Sequence, residues 1–400
     1  MVHFSLRVAI FAAWAAVANA APMALTERAG PVLPSLDSFY AVPDNVGQAR
    51  PGTILKHRKT PFPVAVFGIA PVNLEESHQI LYRTTDSTIV TQAELLLIEA
   101  ALEQGWVVAI PDFQGPKAAY LANRLAGYAT LDGIRAALNS ASITGIQSNP
   151  TITMWGYSGG SVATNWAAEL QEQYAPELKI AGAAVGGTVP DITNVVTAIN
   201  KKAAAGLIPT GILGLGAEYP DLKEVITNHI RPEAANKFYK AGKQCLVANA
   251  AEFLFQDIIG MFDDRELVYT NPTAVRILQE NAFGRVTPSI PLYWYKSVRD
   301  EVSPVKDSDA VVDQYCTRGA NIEYVRDIAS DHGSYAIIGA SKALSWLKNI
   351  MDGGEAQSGC SKKTVVSSLA DVASAEILPK LIVDALLDLL GKPVGPILFG

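Results

Sequence analysis

One serine in this chain stands where a serine can be made nucleophilic. Ser158 lies in Gly156-Tyr157-Ser158-Gly159-Gly160, a G-x-S-x-G match. In that pattern a strand meets a helix in a sharp turn with the serine at its tip, and small residues two positions to either side let the chains approach. The serine oxygen is then exposed, and the helix N-terminus turns partial positive charge toward an oxyanion forming beside it. The pattern alone is weak, since chance supplies roughly one match in seven chains of this composition. Its surroundings strengthen it: a buried β-run, Thr151–Trp155, precedes it and a helical stretch, Val162–Tyr174, follows.

A serine nucleophile needs a base and an acid that orients the base. On a strand–elbow–helix scaffold they follow in the order serine, acid, histidine, each on a loop after a later strand. The chain has five histidines. His3 sits in the leader, His57 and His78 precede the serine, and His229 lies in a block without strands. His332, in Ala329-Ser330-Asp331-His332-Gly333, follows the last predicted core strand and is the candidate base. The acid is expected after Pro291–Tyr295, where Asp300 is the first choice and Glu301 the fallback. Asp331 is too close to His332 in sequence to orient it easily and is expected to shape the loop. A second oxyanion donor usually comes from a loop after an earlier strand. Pro111-Asp112-Phe113-Gln114-Gly115 fits, so backbone N–H groups of Gly159 and of the Asp112 region are the candidate oxyanion hole. The plain alternatives are a surface histidine, a solvated acidic loop and a strand-ending turn.

The elements that must hold these residues read as an α/β chain. Buried strands are predicted at 63–67, 106–110, 151–155, 180–185, 291–295 and 322–326, with a partly alternating stretch at 81–86. Helices are predicted at 93–104, 118–139 with a possible break at Gly127, 162–174, 308–319 and 335–351. Alternating strands and helices imply a parallel sheet covered on both faces. The rhythm stops between about 190 and 285, where apolar helical segments appear without a clear strand. The organisation is therefore a core in two parts, 21–189 and 286–351, interrupted by a helical insertion at 190–285 and followed by a C-terminal extension, 352–400. That extension carries one apolar helical pattern, 375–390.

Composition narrows the function. The chain has 400 residues, 49% hydrophobic and 18% charged, which excludes a disordered protein. The net charge of −7 and the lack of a basic patch argue against nucleic acid. No H-E-x-x-H, C-x-x-C or post-strand G-x-G-x-x-G occurs, so neither a metal nor a dinucleotide cofactor is implied. Residues 1–20 read as a secretory signal peptide: Arg7, an apolar run from Val8 to Val17, then Ala18-Asn19-Ala20, with cleavage expected after Ala20. No other stretch is long and apolar enough to span a membrane. Export permits disulfides. Of the three cysteines, Cys316 and Cys360 bracket the end of the core and are expected to pair, leaving Cys245 free or intermolecular. Both Asn149 and Asn271 are followed by proline, so no N-glycosylation sequon is present.

Several motifs together resemble the fungal secretory lipase family. They are Asp112-Phe113-Gln114-Gly115, Leu131-Asp132-Gly133-Ile134-Arg135, Gly156-Tyr157-Ser158-Gly159-Gly160 and Tyr174-Ala175-Pro176-Glu177-Leu178. Gly186-Gly187-Thr188, Asp300-Glu301-Val302 with Pro304, and Cys316-Thr317-Arg318-Gly319-Ala320-Asn321 complete the set. The similarity runs from about Tyr82 to the Gly391–Pro396 tail. It implies an α/β-hydrolase fold with a helical lid inserted before the acid-bearing strand and a C-terminal flap, Gly391–Pro396. It implies Ser158, Asp300 and His332 as a catalytic triad, Asp112 and Gly159 at the oxyanion hole, and a Cys316–Cys360 disulfide. The expected activity is carboxylic ester hydrolysis without a cofactor, triacylglycerol lipase first, by a monomer that meets a lipid interface. The rivals are an esterase of acylated small molecules and a non-catalytic binding protein on the same scaffold. The chain departs from the family at one place. Between Asp86 and Ala93 about 35–40 residues of the family's usual strand and cysteine-bearing loop are missing, which leaves Cys245 without its usual partner.

Overall fold

The computed structural model describes Ser38, Ala41, residues 48–57 and residues 97–370. The leader, the runs at 63–67 and 81–86, the shortened stretch before Ala93, the 375–390 helical pattern and the Gly391–Pro396 tail lie outside the described residues.

Five strands form one parallel sheet whose spatial order follows the chain: β1 Ile152–Tyr157, β2 Ile180–Gly186, β3 Leu292–Ser297, β4 Ile322–Asp327 and β5 Cys360–Val365. Parallel neighbours need crossovers, and helices supply them. After α1 (Asn123–Asn139) comes α2 (Gly159–Tyr174), which links β1 to β2. Between β2 and β3 the chain builds a helical block: α3 Ile192–Ile199, α4 Leu207–Glu218, α5 Pro220–His229, α6 Pro232–Lys240, α7 Leu246–Glu252 and α8 Pro272–Glu280. Helix α9 (Val305–Thr317) links β3 to β4, and α10 (His332–Ile338) and α11 (Ala340–Met351) lead to β5.

Strand alternation sorts side chains to the two faces of the sheet. Met154, Val185, Trp294 and Tyr324 join Trp166 of α2 and the helical block in one core cluster. Ala184, Tyr293, Tyr295 and Val325 pack with Tyr335 and Leu347 of α10 and α11 in another. Every residue of β3 is buried, as a central parallel strand requires. The motif Leu131–Arg135 has a structural task. Arg135 ties Asp132 at 2.8 Å, Glu177 at 2.6 Å and the Tyr174 carbonyl at 2.7 Å, binding α1 to the end of α2.

Four sequence expectations are corrected. Residues 106–110 form no strand, and Val107 is 70% exposed. Apolar runs resemble strands, but a strand exists only where a neighbour completes its ladder. The described partner of β1 is β2, and a cavity lies against both the 105–111 segment and β1. Gly127 does not break α1: a Cβ there would stand 2.8 Å from Trp166 Cβ, so the glycine lets α1 and α2 touch. The 335–351 helix is two helices, and the first begins earlier, at His332. Strand β5 was not anticipated, because Cys360-Ser361-Lys362-Lys363-Thr364-Val365 is polar and largely exposed, as edge strands often are.

Candidate active site

Ser158 occupies the turn between β1 and α2 with φ 51° and ψ −117°, a backbone conformation rare for a residue with a side chain. Two contacts hold it there. Its N–H donates to the Gly186 carbonyl at 2.9 Å, and its carbonyl accepts the Ser161 hydroxyl at 2.6 Å. A Cβ on Gly156 would fall 2.1 Å from the Gly160 carbonyl oxygen, so strand and helix cross too closely for any side chain at 156. At Gly160 a Cβ would meet nothing within 4 Å. The first glycine of the motif is therefore steric and the last is not.

Asp300 follows β3 and His332 follows β4. Because those strands are adjacent and in register from Leu292↔Ile322 to Ser297↔Asp327, the residues just past them meet above the sheet. His332 Nδ1 lies 2.7 Å from Asp300 Oδ2, and His332 Nε2 lies 3.0 Å from Ser158 Oγ. The other Asp300 oxygen accepts the N–H groups of Val302 at 3.0 Å and Ser303 at 2.8 Å. Burial alone would raise this carboxyl. The His332 hydrogen bond and the charges of Lys296 and His332 outweigh it and hold Asp300 at about 2.

His332 is fixed as firmly as the acid. Asp331 caps α10, accepting the Ser334 N–H at 2.8 Å while the Ser334 hydroxyl answers the Asp331 N–H in a capping box. The predicted loop-shaping role of Asp331 is this cap. Glu301 Oε2 accepts the His332 N–H at 2.9 Å, so the fallback acid grips the backbone of the histidine and leaves the imidazole to Asp300. Tyr157 donates its hydroxyl to the His332 carbonyl at 2.6 Å, with the two rings 5.4 Å apart.

Two of these roles escaped the sequence. Tyr157 carried no signal beyond its place in the motif. Lys296 did carry one, since a lysine in an otherwise apolar strand run must find a partner. It is fully buried, donating to Asp300 Oδ2 at 2.8 Å and to the Thr188 carbonyl at 2.7 Å.

Ser158, Gly159 and His332 line a cavity of about 1830 Å³. Its walls include Ile192 and Val195 of α3, Ile208 and Leu215 of α4, and Phe113. Asp112 is exposed, is absent from the cavity wall, and accepts the Gly115 N–H at 3.1 Å. The expected disulfide joins Cys316 to Cys360, and Cys245 is free and exposed. Among the described residues no group of His, Cys, Asp and Glu could hold a metal.

A parallel sheet with a serine on a strained strand–helix turn, an acid after one later strand and a histidine after the next defines an α/β-hydrolase. The structure of Candida antarctica lipase A in its closed state has the same fold: it superposes with a TM-score of 0.77 at 24% identity, over 92% of this chain and 100% of that one. The family model for secretory lipases matches residues 81–359. Lipase A of Arthroderma benhamiae is 40% identical over 421 residues, covering 92% of this chain and 90% of the relative. Lipase 1 of Candida albicans is 30% identical, over 97% and 94%. The chain belongs to the secretory lipase family and is a carboxylic ester hydrolase. Its alignment with the Arthroderma relative is longer than its own 400 residues, so this chain carries gaps against that relative.

Proposed function

We propose that the protein is a secreted serine lipase that cleaves triacylglycerol esters through an acyl-enzyme on Ser158. The observation that carries this is the hydrogen-bonded line from Asp300 through His332 to Ser158 at the wall of a large apolar cavity. His332 Nε2 takes the Ser158 proton as Oγ attacks the ester carbonyl, and the same proton then passes to the leaving alcohol. Water, activated by His332, releases the fatty acid. Asp300 keeps the Nδ1–H tautomer and stabilises the imidazolium. The N–H of Gly159, at the start of α2, supplies one oxyanion donor, and the Asp112 loop is the proposed source of the second. The helical block at 190–285 serves as a lid whose helices α3 and α4 wall the acyl site. Residues 1–20 direct export and are removed after Ala20, and a disulfide suits that compartment.

The apolar side chains that α3 and α4 contribute to the cavity at Ser158 favour long acyl chains over acetyl groups. A p-nitrophenyl ester series on the purified protein tests this. The expected optimum lies at C8 or longer, with a rise in rate when substrate passes from monomers to an interface. An optimum at C2–C4 without interfacial activation would assign the protein to small-molecule ester cleavage.

A further inference from the structure

Lys296 and His332 converge on the same oxygen, Asp300 Oδ2, at 2.8 and 2.7 Å. Lys296 has no exposed surface, and its strand neighbours Trp294 and Tyr295 are equally buried. Taking an ammonium out of water is costly unless something in the site uses its charge. A neutral donor could satisfy the Thr188 carbonyl, and Asp300 already has the N–H groups of Val302 and Ser303 on its other oxygen. Neither hydrogen bond needs a full positive charge, so the charge itself requires a reason.

We propose that Lys296 is a positioning residue whose charge competes with the His332 imidazolium for Asp300 and so sustains activity in mildly acidic medium. The inference rests on the ester-hydrolysis reading of the site. Its sign follows from Coulomb's law. Asp300⁻ stabilises protonated His332, which cannot accept the serine proton. A cation on the same carboxylate oxygen repels the imidazolium and weakens that stabilisation. Lys296 and the imidazole share one carboxylate in a largely buried site, where a unit charge acts more strongly than it would in water.

Apart from Lys306, which acts on Asp307, the remaining charges in the neighbourhood are acidic. Asp307 and Glu301 face Lys296 beside Asp300, and Asp191 faces Asp307. On the histidine side stand Glu301 at its N–H, Asp331 at the helix cap and the neutral Tyr157 ring. Each of these carboxylates would stabilise an imidazolium, and Lys296 is the cation set directly against them. Burial pulls the Lys296 ammonium below the ordinary lysine range, and the Asp300 carboxylate pulls it back up.

The test is the pH profile of kcat/KM on a soluble short-chain ester, from pH 4 to 9, for the wild type and for Lys296→Gln, Lys296→Met and Lys296→Arg. Fluorophosphonate labelling of wild-type Ser158 comes first, and absence of labelling overturns this inference together with the reading it rests on. In the Gln and Met variants the acidic limb should move up by about one pH unit, roughly a tenfold loss on the acidic side relative to each variant's own plateau. The Arg variant should keep the wild-type limb. Any one folded variant decides the matter. A Gln or Met enzyme whose plateau falls while its acidic limb stays in place would make Lys296 a structural anchor only, and so would an Arg enzyme whose limb moves.

Discussion

The two flanks of Ser158 are built by opposite means. On the side of β3 and β4, the acid and base stand past adjacent strands in register and are gripped from every direction. Asp300 has contacts to Val302, Ser303, Lys296 and His332, and His332 is held by Glu301, Tyr157 and the Asp331 cap. Beyond them β5 closes the sheet, with a disulfide joining it to the end of α9. On the side of β1, residues 106–110 pair with no described strand, and the 111–119 loop is held largely by hydrogen bonds within itself. Proton transfer needs its atoms fixed to within a few tenths of an ångström, and the first flank supplies that. The second flank, where an ester must enter and an oxyanion must be met, has fewer such ties among the described residues and faces the cavity.

That contrast is open to mutation. The largest effects belong on the tight flank. Ser158→Ala and His332→Ala should lower kcat by at least about 10⁴-fold, and Asp300→Asn by about 10⁴-fold through loss of the correct tautomer, with the fold kept. Circular dichroism beside ester hydrolysis checks both halves of that statement. Breaking the covalent tie comes next. Cys316→Ser with Cys360→Ser should remove up to about 4 kcal/mol of stability on the chain-entropy account of the loop it closes, read as a lower denaturant midpoint with activity retained at room temperature.

The acid limb of stability also belongs to this flank. Asp300 is held at about 2, below the unfolded value near 3.9. Its contribution is therefore complete above pH 4 and is lost as the pH falls from about 4 toward 2, on the order of 2–3 kcal/mol. Denaturant titrations of wild type and Asp300→Asn should converge across that interval, and parallel curves would contradict it. Smaller still is Glu301→Ala, which frees one backbone N–H of the histidine and should cost roughly tenfold in kcat, about 1.4 kcal/mol, with little change in KM. The smallest effect is expected on the second flank. Asp112→Asn keeps an acceptor for the Gly115 N–H and should stay within about threefold of wild type, whereas a 10²-fold loss would place the carboxyl itself at the oxyanion.

The same division governs what the sequence revealed. Strands β1 to β4 were legible as short apolar runs, and the places of Ser158, Asp300 and His332 were legible because each follows the end of such a run. Strand β5 was not, since its residues are polar and its pairing depends on β4 rather than on its own composition. The 106–110 run misled in the opposite way: its residues suit a buried strand, but no described neighbour completes its ladder. Glu301 lay in view, yet whether it meets an imidazole or a backbone N–H is decided by how two loops face one another, and spacing along the chain does not record that. The disulfide was legible from two cysteines that bracket the end of the core and from the family resemblance.

The central claim is that Ser158 is nucleophilic because His332 and Asp300 stand in line behind it. A fluorophosphonate probe, followed by peptide mapping, tests it most directly. Stoichiometric modification of Ser158, abolished in Ser158→Ala and slowed by at least about 10³-fold in His332→Ala, is the predicted result. A folded wild-type protein that does not label, or that labels equally fast without His332, would contradict it.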